Sequence, residues 1–78
     1  MAEMSDRAEA QIAVANFLLE RIRQDQYPSE THMTMLEQFI PRAMARQYVN
    51  VLLEKVVADR FPSTSMLRRL TRIVDEMA

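Results

Sequence analysis

Few residues in this chain belong to the types that carry out catalysis or hold metal ions. His32 is the only histidine, and cysteine and glycine are both absent. Without cysteine there is no thiolate nucleophile or thiolate ligand. Without glycine, the phosphate-binding loops and nucleophile elbows that need positive φ or a close backbone approach are excluded. We therefore predict no catalytic residue, no cofactor-binding residue and no metal ligand, and we predict that the protein is not an enzyme.

Two pairs of carboxylates have a spacing that deserves a chemical interpretation. Glu20 with Glu54, and Asp25 with Asp59, each stand 34 residues apart. Two such groups could share a cation or a proton if they met. The residues beside them are basic: Arg21, Arg23, Lys55 and Arg60. Because carboxylates one helical turn from arginine or lysine form ion pairs, we interpret them as surface ion pairs.

The carboxylates belong to an internal repeat. With a shift of 34 residues, positions 16 to 40 align with positions 50 to 74 without a gap, and eight of the 25 pairs are identical. The identical pairs are Asn16/Asn50, Leu18/Leu52, Leu19/Leu53, Glu20/Glu54, Asp25/Asp59, Pro28/Pro62, Ser29/Ser63 and Leu36/Leu70. Self-similarity at this period is typical of one supersecondary unit used twice.

Each copy predicts a helix, a tight turn and a second helix. The apolar period runs from about residue 5 to residue 26, and Pro28 ends it because proline disfavours helical geometry in the residue before it. Ser29 then stands where an N-cap is needed, and the second helix should continue to about Phe39.

The second copy repeats this pattern. Pro41 suits the first turn of a third helix that reaches about Arg60. The turn at residues 61 to 63 follows, and a fourth helix spans about 64 to 77. We expect the inward residues of the last three helices to include Met33, Leu36, Phe39, Ile40, Tyr48, Val49, Leu52, Leu53, Val56, Met66, Leu67, Leu70, Ile73, Val74 and Met77.

The predicted fold class is all-α, with four helices arranged as two tandem helix-turn-helix hairpins in a compact helical bundle. We expect one domain over residues 1 to 78, with repeat units at about 5 to 40 and 41 to 78, since so short a chain cannot bury two independent cores. A pseudo-twofold bundle and a solenoid step are both compatible with the pattern.

The first and third helices are apolar around more than one face. A helix of that kind is either central in its own domain or buried against another chain. We therefore expect the protein to be a small regulatory or protein–protein interaction module that forms a homodimer, with plain core packing as the alternative. The residues expected at the partner or dimer interface are Val14, Phe17, Leu18, Tyr48, Val51, Leu52, Met35 and Met44.

Charge suggests an alternative function. The formal net charge is −1, but residues 1 to 40 carry −4 and residues 41 to 78 carry +3. The fourth helix is rich in arginine, as a recognition helix in DNA would be. The possible nucleic-acid contacts are Arg60, Arg68, Arg69 and Arg72. The overall negative charge and the lack of a matching basic face in the first copy make a DNA-binding regulator the second hypothesis.

The sequence also predicts a soluble, cytoplasmic protein. The first residues include Glu3 and Asp6 and lead into no long apolar run, which is typical of neither a signal peptide nor a transit peptide. No apolar stretch reaches the length of a membrane span, because Glu20 and Arg21 interrupt the longest one.

Overall fold

The computed structural model describes residues 5 to 77 and contains four α-helices within that range. Helix α1 spans Asp6–Gln24, α2 spans Glu30–Phe39, α3 spans Ala45–Ala58 and α4 spans Thr64–Glu76. A 3-10 turn at Arg42–Met44 leads into α3, and the described residues include no strand. The prediction of an all-α fold with four helices is confirmed.

The chain divides into two compact units, with the boundary between Ala43 and Met44. In the first unit α1 packs against α2, and in the second unit α3 packs against α4. Each unit is therefore a helical hairpin. In the first hairpin the Gln11 side-chain amide also donates a hydrogen bond to the Phe39 carbonyl, which links α1 to the end of α2.

The corners of the two hairpins have the same local geometry, 34 residues apart. Asp25 and Asp59 are the C-caps of α1 and α3, and both adopt extended backbone angles that stop the helix. The hydroxyl of Ser29 accepts a hydrogen bond from the His32 amide at 3.3 Å, and that of Ser63 accepts one from the Met66 amide at 3.0 Å. Both serines thus satisfy an amide that a helix start leaves without an intrahelical partner.

The predicted start of the third helix is wrong by about four residues. Pro41 lies ahead of the 3-10 turn, and the α-helix begins only at Ala45. Its N-cap, Met44, makes no side-chain capping hydrogen bond. Because no serine, threonine or acidic side chain stands there to accept from the first amides, the chain enters the helix through a tighter turn. The first and third helices also end two residues earlier than predicted, at the extended aspartates.

Most of the predicted inward residues are buried, but not all. The buried apolar residues are Ala15, Leu18, Leu19, Ile22, Met33 and Leu36 in the first unit and Tyr48, Val49, Val51, Leu52, Leu70 and Ile73 in the second. Phe39, Ile40, Val56 and Met66 are half-buried. The prediction was wrong for Leu53, Leu67, Val74 and Met77, which are exposed. All four belong to the second unit.

Candidate interaction surfaces

The structure assembles no group of side chains suited to metal binding within residues 5 to 77. Two of the carboxylates form the ion pairs expected of them. Arg21 Nε lies 3.5 Å from Asp25 Oδ2, and Arg23 Nε lies 3.5 Å from Glu20 Oε2. In the second hairpin Asp59 Oδ1 instead accepts a hydrogen bond from the Phe61 amide at 3.1 Å. These carboxylates serve helix surfaces and a turn.

The eight residues predicted at a partner interface fall into two groups. Leu18, Tyr48, Val51 and Leu52 are buried within the chain. Val14, Phe17 and Met35 are exposed, and Met44 is half-buried. A buried side chain is already removed from water, so only the exposed group can add apolar surface to a contact with another molecule.

An apolar stripe runs along the exposed side of α1. It consists of Ala10, Ala13, Val14 and Phe17, all exposed, and we call it the α1 stripe. Phe17 keeps 71% of its surface in water and Val14 keeps 46%. The spacing of three, one and three residues places all four on one face of the helix. The buried residues of α1 lie on a different side, so this stripe is additional to the core.

Charged residues border both ends of the α1 stripe. Asp6 lies one turn before Ala10, and Arg21 lies one turn after Phe17. The side chains of Arg21 and Asp25 form an ion pair that holds the guanidinium near this end of the helix. The stripe is therefore acidic at one end and basic at the other.

A second apolar surface lies on the hairpin of α3 and α4. It consists of Leu53 and Val57 on α3 with Leu67 and Val74 on α4, and we call it the α3–α4 face. The two helices run antiparallel, so residues that follow the buried line of α3 and residues that follow that of α4 turn toward the same side of the hairpin. Val57 is 82% exposed and Val74 is 54% exposed.

Sequence reasoning missed the α3–α4 face because it expected Leu53, Leu67 and Val74 to be inward. The repeat shows how misleading the local pattern is here. Leu19 is 3% exposed, whereas its equivalent Leu53 is 44% exposed. Met33 is 2% exposed, whereas its equivalent Leu67 is 43% exposed. Equivalent apolar positions are thus covered in the first hairpin and open in the second.

The four arginines proposed for nucleic-acid contact do not share one environment. Arg60, Arg68 and Arg72 are exposed, and Arg69 is half-buried. The Arg60 guanidinium lies 5.5 Å from the centre of the Phe61 ring, at a distance typical of a cation–π contact. Asp75 and Glu76 follow Arg72 on the exposed side of α4 and reduce its positive charge.

A shallow depression lies along α4 beside the α3–α4 face. Its lining residues are Thr64, Leu67, Arg68, Thr71, Arg72, Val74 and Asp75. This lining combines apolar side chains, hydroxyl groups and arginines. It has the mixed character of a surface that meets another macromolecule, and it offers no enclosed cavity for a small molecule.

The corner aromatics are also exposed. Tyr27 and Phe61 are equivalent in the repeat, and they expose 72% and 79% of their surfaces. Each precedes the proline of its corner. They lie outside both apolar surfaces defined above and so provide reference positions for experiments.

Comparison of the chain with protein-family models, with curated proteins and with solved structures found no match.

None of the helices in the described part of the chain combines the length and the apolar character needed to cross a membrane.

Proposed function

We propose that this protein is a non-enzymatic protein–protein interaction module that forms a homodimer and binds another protein through the apolar faces of its helices. The observation that carries the proposal is the alignment of exposed apolar side chains into two surfaces, the α1 stripe and the α3–α4 face. A regulatory role and a cytoplasmic location are expectations that rest on the sequence.

Scattered apolar residues on a surface are ordinary, but aligned ones call for an explanation. Burial of a side chain as large as phenylalanine contributes about 1.5 to 3 kcal/mol through the hydrophobic effect. Phe17 lies in the middle of a nineteen-residue helix and yet points into water. A contact that covers Phe17 and its neighbours supplies the missing burial.

The α1 stripe suits a second copy of the same helix in antiparallel orientation. With a two-fold axis between Ala13 and Val14, the helical rise places Phe17 of one copy level with Ala10 of the other. A large side chain then meets a small one on both sides of the axis. The same symmetry brings Asp6 of each copy level with Arg21 of the other, so opposite charges meet at both ends.

The resulting dimer should be weak. The stripe occupies one face of a helix that is about 28 Å long, so it buries less than the roughly 800 Å² per partner of a standard interface. The exposed charge pairs contribute orientation more than affinity. We expect a dissociation constant on the order of micromolar.

Sedimentation equilibrium of the full chain tests this proposal. The unmodified protein should show a reversible monomer–dimer equilibrium, and Phe17→Glu should be monomeric because it places a charge in the centre of the contact. Tyr27→Glu is the matched control, since Tyr27 is equally exposed on the same hairpin but lies off the stripe. Both variants should keep the helical circular dichroism of the unmodified protein.

Two results would contradict the proposal. One is a strictly monomeric unmodified protein at concentrations up to about 1 mM, which would correspond to less than about 4 kcal/mol of association free energy. The other is equal self-association of Phe17→Glu and Tyr27→Glu, which would place the contact elsewhere on the molecule.

A further inference from the structure

We propose that the α3–α4 face binds an amphipathic helix of a partner protein, and that the polar side of this helix is acidic. The inference rests on the proposed function and names the kind of partner that it leaves open. It draws on the shape of the α3–α4 hairpin, on the open apolar positions of the second unit, and on the charges around them.

Shape favours a helix as the bound element. Two packed antiparallel helices lie about 8 to 10 Å apart and leave a groove between them. Leu53 and Val57 line one side of this groove, and Leu67 and Val74 line the other. An amphipathic helix fits such a groove by inserting apolar residues spaced three and four apart.

The repeat shows that these positions are built for burial. Leu53 and Leu67 have apolar equivalents in the first hairpin, Leu19 and Met33, and both of those are buried. The second hairpin has the same kind of side chain at both positions but leaves each more than two-fifths exposed. A bound helix would bring Leu53 and Leu67 to the burial that their equivalents have in the first hairpin.

Charge selects the acidic partner. Four arginines border the α3–α4 face, and only two carboxylates do, Glu54 and Asp75. The arginines are Arg46 and Arg60 on α3 and Arg68 and Arg72 on α4, and all four are exposed. Like charges at a contact are unfavourable and opposite charges steer association, so this border favours glutamate and aspartate on the incoming helix.

Fluorescence anisotropy with three labelled peptides tests the proposal on the full-length protein. Each peptide is an amphipathic helix of about 18 residues with the same leucine face, and the polar face is glutamate, glutamine or lysine. We expect the glutamate peptide to bind at least about tenfold more tightly than the lysine peptide at low salt, and the difference to shrink as salt screens the arginines.

Variants assign the site. Leu67→Asp and Val57→Asp should each weaken binding of the glutamate peptide at least about tenfold, because a charge replaces an apolar contact. Both positions are exposed, so we expect the helical signal to stay unchanged. Met35→Asp is the matched control, since Met35 is exposed to the same degree on the other hairpin. The double variant Arg60→Glu/Arg68→Glu should reverse the preference among the three peptides.

Several outcomes would overturn the proposal. They are equal affinity for the three peptides, no saturable binding by any of them up to about 1 mM, or undiminished binding by Leu67→Asp. A DNA duplex of about 20 base pairs that binds Leu67→Asp as well as the unmodified protein, where no peptide binds, would assign the arginines to nucleic acid instead.

Sedimentation separates the failure of this proposal from the failure of the proposed function. If Leu67→Asp abolished dimerisation, the α3–α4 face would be the self-association surface, and the inference would be wrong while the module remained a homodimer. If the unmodified protein were monomeric and still bound the glutamate peptide, the self-association part of the proposed function would be wrong and this inference would stand.

Discussion

Individual side chains at the helix ends determine where this chain turns. Ser5, Ser29 and Ser63 each accept a hydrogen bond from the amide three residues later, at 3.1, 3.3 and 3.0 Å. The proline before each of the last two serines prevents the preceding helix from continuing. These few polar and cyclic residues therefore define both corners, with no glycine in the chain to help.

The serine caps lead to a stability prediction. Ser29→Ala and Ser63→Ala should each lower the free energy of unfolding by about 1 kcal/mol, because an amide at the helix start loses its partner. Thr31→Ala, one residue into α2 and exposed, should be neutral or slightly stabilising because alanine has the higher helix propensity. Urea denaturation of the three variants measures the difference. Equal stability of Ser29→Ala and Thr31→Ala would show that the cap contributes nothing.

At the scale of the elements, the two hairpins are alike in backbone and unlike in what they expose. Each consists of two packed helices joined at an aspartate–proline–serine corner. The buried line of α1 includes Leu19, but the matching residue of α3, Leu53, lies at the edge of an open surface. The second hairpin therefore has apolar surface available for binding that the first has already used.

This difference between equivalent leucines predicts different costs of truncation. Leu19→Ala should destabilise the protein by about 2 to 4 kcal/mol, since it removes buried methyl groups and leaves a cavity. Leu53→Ala should cost less than about 1 kcal/mol, because most surface substitutions have small effects. Thermal or urea unfolding measured at a fixed protein concentration compares the two. A cost for Leu53→Ala that matched that of Leu19→Ala would contradict the exposure of the α3–α4 face.

At the scale of the whole molecule, self-association is the expected source of additional burial. A chain of 78 residues buries a modest share of its surface on folding, and a second copy can cover what one copy leaves open. The α1 stripe combines small residues, one large aromatic and opposite charges at its two ends. This order of residues is self-complementary only when the two helices run in opposite directions.

Cysteine cross-linking tests that orientation, and the absence of native cysteine makes the experiment clean. Ala13→Cys lies beside the proposed two-fold axis, so the variant should form a disulfide-linked dimer under mild oxidation. Ala10→Cys lies about 10 Å from its own copy along the axis and should cross-link poorly, since a disulfide needs Cα atoms closer than about 7 Å. Non-reducing electrophoresis gives the readout. Efficient cross-linking of both variants would indicate parallel helices instead.

The sequence by itself determined the helices, the corners and the lack of thiol and glycine-loop chemistry. Proline, the serine cap and the apolar period act on neighbours within one helical turn, so their effects can be predicted from a short stretch of chain. The tertiary structure alone decided which apolar residues remain exposed. Leu19 and Leu53 occupy the same Leu-Leu-Glu sequence in a helix of the same hairpin type, yet one is buried and the other is open. Burial depends on what covers a helix face from elsewhere in the chain, and no local pattern contains that information.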